Sequence, residues 1–160
     1  MGPWTTLCRF ACASLAIIWI CHAAQAQAQE VVEDDTTCTD DAMLVFDASG
    51  SMASAGYNEL ENPRIIEALD AVRHVLPKVT QYRRIGLVVY GPGPKDACQN
   101  IELKLAPAYN SARQIISELE RLAPDGNTPL TQAVRDAAEA LRFREKPAVV
   151  VLVTDCLLYT

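Results

Sequence analysis

The sequence predicts a three-layer α/β sandwich: a mostly parallel sheet, with one antiparallel strand at its edge, between layers of helix. Two observations carry this. Three runs, Ala42 to Phe46, Ile85 to Tyr90 and Ala148 to Val153, are apolar without alternation, as strands are when helices cover both faces of a sheet. Between them lie segments with helical spacing of their apolar residues, which supply those covering layers.

The chain has 160 residues, half of them hydrophobic, enough for one domain with a real core. Residues 1–28 read as a leader. Arg9 precedes the apolar stretch Phe10 to Cys21, and "AAQAQAQ" then offers small residues two apart, the three regions of a secretory signal peptide. The apolar stretch is shorter than the roughly 20 residues that span a bilayer, so cleavage is expected and no stable membrane anchor afterwards. Ile18-Trp19-Ile20 is too bulky for a lipoprotein box before Cys21. Residues 29–40 form a polar, acidic extension, and 41–160 the domain.

From Ala42 the elements follow in order. The first apolar run ends at "DASGS", Asp47 to Ser51. Asn62-Pro63 reads as a helix start, with Asn as N-cap and Pro in the first helical position. Ile65, Leu69, Val72 and Leu76 then share one face, and Pro77 is expected to end that helix. The second apolar run closes on "GPGP", Gly91 to Pro94. Ile101, Leu103 and Leu105 alternate with Glu102 and Lys104, as in a half-exposed edge strand. Ile115, Leu119 and Leu122 mark a second helix. Thr128-Pro129 opens a third, whose face carries Leu130, Val134, Ala137 and Leu141. The third apolar run leads to Asp155.

Charge narrows the function. The formal net charge is −6, and loss of Arg9 with the leader makes it −7. With no basic patch, nucleic acid is not an expected partner, and an acidic surface suits solubility and cations. Three cysteines leave with the leader; Cys38, Cys98 and Cys156 remain, an odd number for an exported chain. Cys38 and Cys98 are candidates for one disulfide, or Cys98 pairs with a cysteine beyond Thr160.

Parallel sheets bind ligands beyond the carboxyl ends of their strands. Asp47 and Asp155 end two strands there, and Ser49, Ser51 and Thr128 can join them. All five offer hard oxygen donors, a set that suits Mg²⁺ or Mn²⁺. Each also has a purely structural reading: a polar turn for "DASGS", an N-cap for Thr128, a strand terminator for Asp155. A cation beside a helix N-terminus is opposed by the helix dipole by roughly 0.3–1 kcal/mol. The two carboxylates offset that, and the same dipole favours an incoming carboxylate.

"DASGS", "NTPL" at Asn127 to Leu130 and "VLVTD" at Val151 to Asp155 occur in this order on the expected elements. Together they resemble the three segments of the metal-ion-dependent adhesion site in von Willebrand factor type A (VWA) domains, over about Asp41 to Asp155. The resemblance implies a Rossmann-like sheet with strand order 3-2-1-4-5-6. It implies Ser49, Ser51 and Thr128 as direct metal ligands, with Asp47 and Asp155 balancing charge partly through water. A carboxylate from a protein partner would complete the shell. "YGPGP" followed by a cysteine is similar to secreted bacterial members, and the implied location is periplasmic or extracellular. Cys156 stands where the family usually has glycine. The family also usually continues beyond this point, so the expectation is a truncated domain whose last apolar run is left at the sheet edge. Such a chain should be prone to aggregate, with its metal site partly assembled around Asp155.

Three alternatives belong to other classes. A phosphatase-like hydrolase could use Asp47 as nucleophile, but such enzymes place a second aspartate where Ser49 stands. A Ser-His-Asp hydrolase has little to work with: the mature part has one histidine, His74, off the apolar helix face, and no G-x-S-x-G segment. A VWA subunit of a chelatase or AAA assembly is intracellular, which the leader opposes. A non-enzymatic, metal-dependent protein-binding domain is therefore the expectation, with Asp47→Ala expected to abolish metal binding while leaving the sheet intact.

Overall fold

The computed structural model describes residues 41–56, 61–93 and 100–155. The leader, the extension, all three mature cysteines with their disulfide alternatives, and the last five residues lie outside the described residues.

Strand β1, Asp41–Asp47, is the centre of the architecture. All seven of its residues are buried, as its unbroken apolar run requires. It pairs in parallel with β2, Arg84–Tyr90, on one side and with β4, Val149–Val153, on the other. Strand β3, Ile101–Ala108, runs antiparallel to β2. The sheet order β3-β2-β1-β4 matches the first four places of the expected 3-2-1-4-5-6.

The period of two in β1 divides the core into two halves. Ala42, Leu44 and Phe46 face helix α1, Arg64–Val79, and helix α2, Ala112–Leu119. Met43 and Val45 face helix α3, Leu130–Ala140. The buried faces of α1 (Ile65, Leu69, Val72, Leu76) and α2 (Ala112, Ile115, Leu119) follow the spacing in the sequence. On α3 the buried residues are Ala133 and Ala137, with Leu141 just beyond. Val134, expected on that face, is only half-buried. At the other end of β1, Asp41 is held by Arg84 and Lys146.

Three helix boundaries differ from expectation. Pro77 does not end α1, which continues to Val79. Proline forfeits its own N–H bond, but Thr80 N bonds Leu76 O at 2.9 Å and closes the turn. Pro63 and Pro129 occupy the cap positions of α1 and α3, each with no side-chain cap. Asn62 therefore is not the N-cap of α1, nor Thr128 that of α3. A proline in the cap position itself displaces the preceding side chain from the first free N–H groups.

Strand β4 is covered unevenly. Val150 and Leu152 pack on the α3 side. On the α1 side, Val149 is 41% exposed and Val151 48%. Val151 and Val153 line an apolar groove of about 340 Å³ against Ala68, Val72 and Val75 of α1. Among the described residues β4 is an edge strand.

Candidate functional site

The carboxyl ends of β1 and β4 deliver Asp47 and Asp155 to the same end of the sheet, because the two strands are parallel and adjacent. After Asp47 the chain leaves the sheet through Ala48 and Ser49 and enters a 3-10 turn, Gly50–Ala53, anchored by buried Met52. Gly91, at the end of β2, makes room for this loop. Its φ is +112°, and a Cβ there would lie 2.3 Å from Ser49 N, so no other residue fits.

Asp47 is wholly buried and accepts three hydrogen bonds. Ser49 N donates to Oδ1 at 2.8 Å. Tyr90 Oη donates to Oδ2 at 2.8 Å and Thr154 Oγ1 at 2.6 Å. Three donors on one carboxylate fix its orientation. Asp47 thereby places a fixed negative charge beneath the loop. The bond to Ser49 N is also the turn reading of "DASGS", so the structural and functional readings coexist here.

Above Asp47 the side-chain oxygens form a chain. Ser49 Oγ lies 3.1 Å from Ser51 Oγ, and Ser51 Oγ donates to Asp155 Oδ1 at 2.9 Å. The other oxygen of Asp155 accepts from Arg64 Nη1 at 2.5 Å. Four of the five expected residues are thus linked: Asp47, Ser49, Ser51 and Asp155. Asp155 is in register with the motif loop, and Ser51 touches it directly.

Thr128 arrives by a different route. Asp125 N bonds Ala48 O at 3.1 Å and Gly50 N bonds Gly126 O at 3.2 Å, docking this loop on the serine loop. Gly126 permits the approach, with φ at +74° and its Cβ position 2.2 Å from Gly91 O. Thr128 follows two residues later and is exposed. Pro129, and not Thr128, is the cap residue of α3.

The arrangement gathers oxygen donors of the type that hard cations take. Mg²⁺–oxygen bonds of about 2.0–2.1 Å put neighbouring ligands of an octahedron about 3 Å apart. The spacings of 3.1 and 2.9 Å along Ser49, Ser51 and Asp155 fit that edge. Hydroxyls and one available carboxylate, with a second carboxylate beneath, make a donor set of suitable hardness.

Sequence reasoning missed three participants. Tyr90 was read as the apolar end of a strand, and Thr154 and Arg64 were not singled out. Thr154 stands beside Asp155, and its hydroxyl inside an otherwise apolar strand end was a usable signal. His74 is exposed as expected, its Nδ1 3.0 Å from Asp70 O. Asp47→Ala would disturb more than a ligand set, since three donors would lose their acceptor.

A sequence model of the family described as von Willebrand factor type A domain matches residues 42–157. A search of curated proteins gave no match. Solved structures share the fold. A pilus adhesin, SpaC, from Lactobacillus rhamnosus GG superposes with a TM-score of 0.54 at 22% identity, covering 74% of this chain and 16% of its own. The PilB minor pilin from Streptococcus sanguinis gives 0.51 at 20% identity, covering 76% and 31%. An uncharacterized membrane-spanning protein from Vibrio fischeri gives 0.52 at 20%, covering 67% and 51%. The chain therefore spans about half or less of the length of these proteins.

Proposed function

Because the chain belongs to the von Willebrand factor type A domain family, we propose that it is a non-enzymatic, adhesion-type domain that binds a protein partner through a divalent cation. Mg²⁺ or Mn²⁺ would be held by Ser49, Ser51 and Thr128, with Asp155 at the rim and Asp47 balancing charge from below. The ion would supply a positive centre for an acidic side chain of the partner. The observation that carries this reading is the hydrogen-bonded run of hard oxygens Ser49, Ser51 and Asp155 beside the buried carboxylate of Asp47.

The residues of this chain do the preparatory work. Tyr90, Thr154 and the Ser49 amide hold the Asp47 carboxylate in one orientation. The docking of residues 125–126 on the serine loop supports the inclusion of Thr128, two residues further on. The same contacts speak against the hydrolase alternative. An Asp47 nucleophile needs a lone pair directed at the substrate, and its carboxylate is wholly buried with three donors upon it. The leader supports export, to the periplasm or beyond a bacterial cell, over an intracellular chelatase or AAA partnership. The pilus adhesin and minor pilin sharing the fold are in keeping with a role in surface contact between proteins.

Water-proton relaxation with Mn²⁺ tests both halves of the proposal. Bound Mn²⁺ should enhance relaxation, and an Asp-containing peptide should reduce the enhancement by displacing metal-bound water. An Asn-containing peptide should not. Absence of enhancement would overturn the metal site, and equal effects of the two peptides would overturn the carboxylate partner.

A further inference from the structure

Asp155 is shared between two kinds of cation chemistry. Its Oδ1 faces the hydroxyl chain through Ser51, and its Oδ2 is taken by Arg64 Nη1 at 2.5 Å. The side chains of Arg64 and Asp155 are 25% and 10% exposed, so salt and water screen the pair only in part. Arg64 is the first residue of α1, and its backbone N–H bonds Ser54 O at 3.0 Å, on the far side of the serine loop. The backbone is thereby pinned at the start of the helix.

Charge bookkeeping makes the pair more than a surface contact. Asp47 and Asp155 contribute two negative charges and Arg64 one positive, which leaves the site at −1. A divalent ion would neutralise both carboxylates without the guanidinium. With the guanidinium still in place, the site would carry +1 in a partly buried setting, and the two cations would repel.

On the metal-binding reading above, we propose that Arg64 is a built-in counter-cation that competes with the divalent ion for Asp155 and so sets the affinity of the site. It holds Asp155 in position when no ion is present, and the ion must displace it or bind against its charge. A cation on one oxygen of a carboxylate repels a second cation approaching the other oxygen, and the partial exposure of Arg64 moderates that repulsion.

The test is calorimetric titration of the full chain with MgCl₂, comparing the parent with Arg64→Gln and Arg64→Lys. Arg64→Gln should bind Mg²⁺ on the order of tenfold more tightly, through loss of the Coulomb repulsion, and Arg64→Lys, which keeps the charge, should stay within about threefold of the parent. Circular dichroism of the metal-free proteins controls for folding. The unaltered chain gives an independent readout: the ¹⁵N resonance of the Arg64 side chain should shift on saturation with Mg²⁺. Equal or weaker binding by Arg64→Gln, or an Arg64 resonance unmoved by Mg²⁺ that does bind, would overturn the counter-cation role and leave the metal site standing. Failure of both parent and Arg64→Gln to bind Mg²⁺ or Mn²⁺ would overturn both.

Discussion

Tyr90→Phe removes a single oxygen from the centre of the molecule. The Tyr90 ring is fully buried at the end of β2, and its hydroxyl donates to Asp47 Oδ2 at 2.8 Å. A hydrogen bond to a charged group contributes about 1.5–3 kcal/mol. Thr154 Oγ1 still donates to the same oxygen, at 2.6 Å, so the carboxylate is not stranded, and the loss should fall near the lower limit, about 1.5 kcal/mol. In a domain of this size that corresponds to a melting temperature lower by on the order of 5 °C. Urea denaturation followed by circular dichroism measures it, with the m-value expected to be unchanged because the core stays closed. Tyr82→Phe, on a side chain 77% exposed, is the control and should unfold as the parent does. Combination with Asp47→Asn should shrink the effect of Tyr90→Phe, since the charged acceptor is gone. A midpoint for Tyr90→Phe indistinguishable from the parent would refute the claim that this hydroxyl holds the carboxylate.

Two further outcomes follow from the same contacts. Asp47→Ala should lower stability by about 3 kcal/mol, because Ser49 N, Tyr90 Oη and Thr154 Oγ1 all lose their acceptor; denaturant titration measures it, and a parent-like midpoint would contradict the buried network. Val151→Lys should reduce any concentration-dependent association in light scattering, since Val151 is 48% exposed beside an apolar groove, on a strand at the sheet edge among the described residues, and a charge there blocks edge pairing; undiminished association would place the sticky surface elsewhere.

The parts of the fold governed by period were legible in the sequence. β1 reads as fully buried because its apolar run is unbroken, and β3 reads as an edge because Glu102 and Lys104 interrupt it. The helical faces of α1 and α2 follow from spacings of three and four. The helix starts were displaced because proline was placed inside the helix, whereas Pro63 and Pro129 sit in the cap positions. Motif spacing places Asp47, Ser49, Ser51 and Asp155 at one end of the sheet, since adjacent parallel strands end on the same side, and hydrogen bonds link the four there. Tyr90 and Arg64 were not legible. A tyrosine in an apolar run looks like core, and only the register Asp47↔Tyr90 shows that its hydroxyl meets a carboxylate from the next strand. Arg64 and Asp155 are 91 residues apart, and no local pattern connects them.

The central claim is that the oxygens at the ends of β1 and β4 form a divalent-cation site. Calorimetric titration of the full chain with MgCl₂ and MnCl₂, beside Ser51→Ala, tests it most directly. Ser51 is the residue that links the other hydroxyl to Asp155, at 3.1 and 2.9 Å. Its exposed side chain can be removed without opening the core. The account predicts one ion per chain in the parent and a large loss of affinity in Ser51→Ala, with both proteins equally folded. Absence of binding by the folded parent, or binding that Ser51→Ala leaves unchanged, would contradict it.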